Sequence, residues 1–219
     1  MEAIINLIER EEYELALTSL IKALEGDGYN IELLTLSAHV SFKLEKYDEA
    51  IEKYHSLINL VPGKADYYAG RALAYHNIGE HRLALADFTY AITLEPENGY
   101  RYASRAFIKN YLGDHTGAIE DYNKAIELDP EDAVSINNRG IAEEKLGRQT
   151  VAEQSFARAD LLAGIDNQKN SQTVKGLRTK DPKGRAYKVD LKLFSRTIKN
   201  LFVSAKERRK FLDFLLKRQ

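Results

Sequence analysis

The amino-acid sequence predicts an all-α protein in which short helical hairpins stack into a solenoid. The first observation behind this prediction is an internal repeat of 34 residues, marked by Ala16, Ala50, Ala84, Ala118 and Ala152. The second is that apolar residues around these alanines recur with the period of an α-helix. A unit of this length buries too little apolar surface alone, so neighbouring units must cover it.

Each repeat is predicted to contain two helices joined by a sharp turn. A large apolar residue follows each alanine by four positions, at Leu20, Tyr54, Phe88, Tyr122 and Phe156. Residues four apart share one face of a helix, and the small alanine lets a neighbouring helix approach closely. Glycines that suit the turn recur at one fixed position of the repeat, and prolines that stop the second helix recur at another. They are Gly79, Gly113 and Gly147, and Pro62, Pro96 and Pro130.

This pattern resembles the tetratricopeptide repeat. Counted from the residue 31 places before its proline, the repeat at 65–98 matches seven family positions with Tyr68, Ala72, Tyr75, Ala84, Phe88, Ala91 and Pro96. The array is predicted to span residues 1–164, with repeats at 1–30, 31–64, 65–98, 99–132 and 133–164. Lys109 and Glu143 depart from the family's aromatic residue at position 11. The resemblance implies a right-handed α-solenoid that binds proteins and is not an enzyme.

The resemblance also implies where a ligand would bind. In this family the first helix of each hairpin lines the concave face through positions 2, 5, 9, 12 and 13. The groove residues expected here are His39, Phe42, Leu73, His76, Asn77, Tyr100, Phe107, Asn110, Tyr111, Asn137 and Ile141. Their mixture of aromatic, aliphatic and amide side chains is typical of a peptide-binding groove. For Leu73, Phe107 and Ile141, packing against the adjacent repeat is an equally good interpretation.

The partner is expected to be a protein or peptide other than the C-terminal tail of a heat-shock chaperone. Relatives that grip those tails carry Lys, Arg and Asn at fixed positions of three successive repeats. The matching positions here hold Thr35, His39, Gly70, Tyr100 and Ser104. None of them supplies a cation, so the sequence disfavours this subclass.

The remaining charged and metal-binding residue types point to structure more than to chemistry. Arg71, Arg105 and Arg139 recur at position 7 and Asp87 and Asp121 at position 23, so these side chains are expected to pair, either within a repeat or between repeats. The alternative is that the three arginines form a ladder for phosphate or carboxylate groups. The chain has no Cys, and its five His residues show no metal-ligand spacing. The sequence therefore indicates no catalytic residue, no metal and no cofactor.

The formal net charge of −1 conceals two segments of opposite sign. Residues 1–164 hold 16 Lys plus Arg against 28 Asp plus Glu, a charge of −12. Residues 165–219 hold 16 against 5, a charge of +11. Such asymmetry is typical of a domain boundary or an interaction tail.

The basic segment is predicted to consist of a polar linker, 165–187, and a pair of amphipathic helices, 188–219. Basic residues on its polar faces are Lys192, Arg196, Lys199, Lys206, Arg208, Arg209 and Lys210. The helices could fold back on the acidic array, as a cap on its last repeat or as an occupant of its groove. Alternatively, they could bind nucleic acid or an anionic membrane surface.

A cytoplasmic location is expected. The first residues include acids where a secretory signal would need a basic region followed by an apolar core. No run of apolar residues is long enough for a membrane span.

Overall fold

A computed structural model of the chain describes residues 1–27 and 30–163. Over these residues the protein is all-α, as the sequence predicts, with ten helices and no strand. The helices are α1 Glu2–Glu9, α2 Tyr13–Asp27, α3 Ile31–Lys43, α4 Tyr47–Leu60, α5 Ala65–Asn77, α6 His81–Leu94, α7 Gly99–Tyr111, α8 His115–Leu128, α9 Ala133–Lys145 and α10 Gln149–Leu162. The linker 165–187, the helical pair 188–219 and the seven basic residues named above lie outside the described residues.

The helices pair in chain order. Each odd-numbered helix packs against the helix that follows it, and each even-numbered helix packs against the next odd-numbered one. A short connection makes the two helices of a hairpin antiparallel. The result is a solenoid of five hairpins in which each repeat contacts its neighbours in the chain. The odd-numbered helices are called the first helices below, and the even-numbered ones the second helices.

The repeat alanines lie at the tightest packing points. Ala16, Ala50, Ala84, Ala118 and Ala152 are all fully buried. A glycine plays a similar part where α4 meets α5, because a Cβ on Gly70 would overlap the Tyr54 ring. These small residues bring the helices close enough for the large side chains beside them to interlock.

The turn inside each hairpin needs a residue with positive φ. Gly79, Gly113 and Gly147 provide it with φ of 87°, 86° and 73°. Nothing lies within 4 Å of a Cβ built on any of the three, so the backbone angle and not the space favours glycine. Glu11 and Glu45 occupy the same place in the first two repeats with φ of 58° and 59°. An L-residue with a side chain adopts this region at a cost of about 1–2 kcal/mol.

The arginines at position 7 pair within their own repeat. Arg71 donates from Nε and Nη2 to the two carboxylate oxygens of Asp87, at 2.7 and 2.8 Å. Arg105 donates to Asp121 in the same way, at 2.8 and 2.7 Å. Both aspartates are buried. The structure thus favours the within-repeat pairing of the two that the sequence leaves open.

The remaining guanidinium nitrogen of each arginine reaches back to the preceding repeat. Arg71 Nη1 lies 3.3 Å from His55 Nδ1, and Arg105 Nη1 donates to Thr89 Oγ1 at 3.1 Å. His55 and Thr89 both stand at position 25 of the preceding repeat. One side chain therefore braces its own hairpin and links it to the hairpin before it.

Repeats 2 and 5 depart from this arrangement. In repeat 5, Arg139 contacts Asn123 and Ser155, and the carboxylate nearest to it is that of Glu143, at 3.5 Å. In repeat 2, Ser37 replaces the arginine. Its hydroxyl and that of Ser41 are buried and have no hydrogen-bond partner among the described residues.

The last described helix differs from the other second helices at position 28. Ile58, Ile92 and Ile126 hold that position in α4, α6 and α8, and all three are buried. Ile58 and Ile126 belong to core clusters that include residues of the following first helix. In α10 the same position is Asp160. The helix therefore lacks the aliphatic side chain on which the inner repeats stack.

Candidate binding groove

The first helices lie side by side. Thr35 on α3 donates from its hydroxyl to the Tyr67 hydroxyl on α5, at 3.3 Å. Arg101, buried on α7, donates to Asp66 on α5 at 2.7 Å, and α7 packs directly against α9. Because these helices follow equivalent turns, one face of each contributes to a continuous surface along the array.

The groove residues are spread over four successive first helices. His39 and Phe42 lie on α3; Leu73, His76 and Asn77 on α5; Tyr100, Phe107, Asn110 and Tyr111 on α7; and Asn137 and Ile141 on α9. Most of them are partly buried. His76 is buried, whereas Tyr111 is 59% exposed. Their contact with a ligand stays a prediction.

The aliphatic and aromatic groove residues also pack. Leu73 and Phe107 lie against a buried cluster that includes Ala72, Phe88 and Ile108. Both side chains keep part of their surface exposed. Leu73 and Phe107 thus pack in the repeat interface and also expose an edge on the surface. Packing against the adjacent repeat and lining the groove are therefore compatible interpretations of these two residues.

An aromatic cluster joins repeats 3 and 4 at the centre of this surface. The ring of His76 lies 5.6 Å from that of Phe107 and 5.5 Å from that of Tyr111, measured between centroids, and both contacts are edge-to-face. His81, the first residue of α6, lies 4.9 Å from Tyr111. The cluster consists of His76, His81, Phe107 and Tyr111. It connects three helices from two repeats.

A side-chain pair across the hairpin turn recurs in three repeats. His76 Nδ1 and His81 Nδ1 are 3.0 Å apart, a hydrogen-bonding distance. One repeat later, Asn110 Oδ1 and His115 Nδ1 are 2.6 Å apart, and one repeat earlier the rings of Phe42 and Tyr47 meet edge-to-face. Each pair joins the end of the first helix to the start of the second.

Sequence reasoning missed His81, His115 and Tyr47 because it searched only the first helices. The available signal was a spacing of five residues, from position 12 to position 17, occupied by polar or aromatic pairs in successive repeats. The turn between these positions folds the chain back on itself, which brings the two side chains together.

Two imidazoles on this surface are neutral at pH 7. Burial, followed by the charge of the nearby Lys43, lowers the pKa of His39 to about 4. Burial, followed by the neighbouring His81, lowers the pKa of His76 to about 4. The eleven groove residues therefore contribute no formal charge at neutral pH.

In the described part of the chain, no group of three or more His, Cys, Asp or Glu side chains is arranged to hold a metal ion. No described helix is long and apolar enough to cross a membrane.

Stacked helical hairpins with a continuous face of first helices define the class of α-solenoid repeat proteins. Within that class, the matched segments of the chain are tetratricopeptide repeats. A model described as TPR repeat matches residues 38–79 and 108–147, and one described as tetratricopeptide repeat matches residues 65–98. The family resemblance of the sequence is thereby confirmed.

A mouse relative, serine/threonine-protein phosphatase 5, is 40% identical over 68 residues, which are 31% of this chain. The match covers 14% of the phosphatase, so the chain spans a small part of that relative.

Solved structures resemble the chain over a larger share of its length. MamA from Desulfovibrio magneticus RS-1 has a TM-score of 0.68 at 19% identity, covering 78% of this chain and 93% of that one. TTC0263, a TPR protein of Thermus thermophilus, has a TM-score of 0.63 at 19% identity, covering 82% and 97%. The first TPR domain of Spaghetti (RPAP3), bound to the HSP90 peptide SRMEEVD, has a TM-score of 0.52 at 26% identity, covering 53% and 93%. The first two likenesses show the fold.

Proposed function

We propose that this protein is a non-enzymatic scaffold or adaptor that binds a peptide or helix of a partner protein along its first helices. The observation that carries the proposal is the uncharged surface formed by the eleven groove residues on α3, α5, α7 and α9. Aromatic and amide side chains on a partly desolvated surface suit protein recognition. The Spaghetti domain, which binds a peptide, supports this function for the fold.

The side chains divide into two roles. Phe42, Leu73, Phe107 and Ile141 are apolar and partly buried, so they offer anchoring surface that is already ordered before a ligand arrives. The polar groove residues would set the register of the bound chain. Asn77, for example, donates from Nδ2 to the Leu73 carbonyl oxygen at 2.8 Å. This hydrogen bond fixes the Asn77 side chain and leaves Asn77 Oδ1 as an acceptor.

The heat-shock chaperone tail remains disfavoured as the ligand of this groove. The five positions compared above hold Thr35, His39, Gly70, Tyr100 and Ser104, and the only ionisable imidazole among them is neutral at pH 7. A terminal carboxylate placed there would lose its hydration without gaining a cation.

Site-specific photocrosslinking tests the proposal. A benzophenone amino acid replaces Tyr111, which is 59% exposed on α7, or Tyr90, which is 46% exposed on the second helix α6. We expect the full-length protein to form adducts with a partner through position 111 and not through position 90. Equal adducts at both positions, or adducts at position 90 alone, would refute binding along the first helices.

A further inference from the structure

The connections around the central repeats are acidic. Two turns, 78–80 and 112–114, follow the C-terminal ends of α5 and α7, and two loops, 95–98 and 129–132, precede the N-terminal ends of α7 and α9. Together they hold seven acids and no Lys or Arg. The acids are Glu80, Glu95, Glu97, Asp114, Asp129, Glu131 and Asp132. They are called the acidic rims.

Much of this negative charge faces solvent. Glu95 is balanced by the buried Arg101, 2.6 Å away, and Asp132 caps α9 by accepting from the backbone N–H of Ser135. The side chains of Glu80, Glu97 and Glu131 are exposed. Arg158 Nη2 donates to the Pro130 carbonyl oxygen at 2.8 Å, so a second cation lies beside the 129–132 loop. The seven acids of the acidic rims outnumber Arg101 and Arg158, so the rims retain net negative charge.

The surface between the rims is uncharged. Leu73, Asn77 and Phe107 have no ionisable group, and His76 is neutral at pH 7 because burial and the neighbouring His81 lower its pKa to about 4. Lys109, on α7, is not one of the groove residues; its Nζ lies 2.9 Å from Asp121, the carboxylate that Arg105 also contacts. An ionised ligand group placed among these side chains would be desolvated without a partner.

We propose that the groove selects an apolar segment with Lys or Arg residues at its flanks. The apolar part would lie on the uncharged surface of repeats 3 and 4, and the basic flanks would lie beside the acidic rims. The inference rests on the proposed function and adds the chemistry of the ligand. The charge of this ligand is opposite to that of the acidic peptide SRMEEVD that the Spaghetti domain binds.

The electrostatic contribution is modest for each contact and adds over several. An exposed ion pair contributes about 0.2–1 kcal/mol, so three or four flanking contacts change the dissociation constant by roughly ten-fold. Exposed charges are screened beyond about 10 Å at 0.1 M salt. The preference should therefore weaken as the salt concentration rises.

Fluorescence anisotropy with the full-length protein tests the ligand chemistry. Four labelled probes are compared: one amphipathic peptide with Leu and Phe anchors flanked by Lys, the same peptide flanked by Ser or by Glu, and SRMEEVD. We expect the Lys-flanked peptide to bind about ten-fold more tightly than the Ser-flanked one at low salt. The Glu-flanked peptide and SRMEEVD should bind more weakly than the Ser-flanked one.

A pair of charge-matched variants locates the effect. The rim variant carries Glu80→Gln, Glu97→Gln and Glu131→Gln, and the control carries Glu25→Gln, Glu52→Gln and Glu120→Gln on exposed sites of second helices. Both lose three negative charges. We expect the rim variant to weaken the Lys-flanked peptide about five-fold and the control to change it less than two-fold. Equal losses in the two variants would overturn the inference.

The outcomes separate this inference from the proposed function. If the three amphipathic peptides bind equally and Tyr111→Ala weakens all of them, the groove binds peptides and the preference for basic flanks is wrong. If none of the peptides binds, or if binding is insensitive to Tyr111→Ala, both the proposed function and the inference fail.

Discussion

Repeat 2 has the same two-helix architecture as repeats 3 and 4, but the polar contacts within it are different. In repeats 3 and 4, a position-7 arginine makes a bidentate pair with a buried aspartate and reaches back to the preceding repeat. Repeat 2 has Ser37 at that position, with no hydrogen-bond partner among the described residues. Its turn also uses Glu45 where the later repeats use glycine.

The comparison shows that apolar packing is sufficient to form a hairpin of this kind. The arginine network adds rigidity and a link between hairpins where it is present. Through Arg105 and Thr89 it links repeat 4 to repeat 3, at the interface that also contains the aromatic cluster of the groove. The central part of the array thus holds both the arginine–aspartate pairs and the aromatic cluster of the proposed binding surface.

The largest expected effect comes from removing an arginine of this network. Arg71→Met keeps most of the side-chain volume but leaves the buried Asp87 without its cation, so the free energy of unfolding should fall by about 3 kcal/mol. Arg105→Met should cost about half as much, because Lys109 Nζ remains 2.9 Å from Asp121. Urea unfolding of the two variants measures the difference. Equal losses would show that Lys109 does not compensate.

A smaller effect of opposite sign is expected in repeat 2. Ser37→Ala removes a buried hydroxyl that lacks a partner among the described residues, so it should raise the free energy of unfolding by about 1 kcal/mol. Ser56→Ala serves as the control, because Ser56 is exposed on α4 and should change stability by less than about 0.5 kcal/mol. A loss of stability in Ser37→Ala would mean that this hydroxyl is hydrogen-bonded in solution.

The smallest effect is expected at the turns. Glu45→Gly relieves the positive φ of 59° and increases the entropy of the unfolded chain, so the net gain should be about 0.5 kcal/mol. The reciprocal change, Gly79→Ala, should cost about 1 kcal/mol at a φ of 87°. Thermal unfolding followed by circular dichroism would detect both. If Glu45→Gly destabilised the protein, the Glu45 side chain would have a stabilising contact that outweighs the backbone cost.

The helices and their packing faces were predictable from the sequence because they depend on local periodicity. A small residue every 34 positions, with large apolar residues at helical spacing, determines which faces must meet, and the repeat alanines are indeed fully buried. The family resemblance likewise placed the groove residues on α3, α5, α7 and α9.

Contacts between side chains of different helices were less predictable. In repeat 5, Ser155 stands where Asp87 and Asp121 stand in earlier repeats, and the carboxylate is supplied by Glu143 from position 11. Ser155 alone looks like a loss of the ion pair, whereas Glu143 alone looks like a buried carboxylate without a cation. Only the directions of the side chains show that Glu143 takes over the contact with Arg139. Likewise, only these directions show that His76 and His81 meet across the hairpin turn.

Asp160 has a consequence for how an array of this kind can change length. Copying repeat 5 onto its own end would place a carboxylate where the inner interfaces bury an isoleucine, so growth by terminal duplication would carry a desolvation cost. Copying a central repeat in place would meet no such barrier, since its position 28 would again be an isoleucine such as Ile92 or Ile126, which the array already buries. Lineages of this protein that gain or lose a repeat should do so from the middle of the gene.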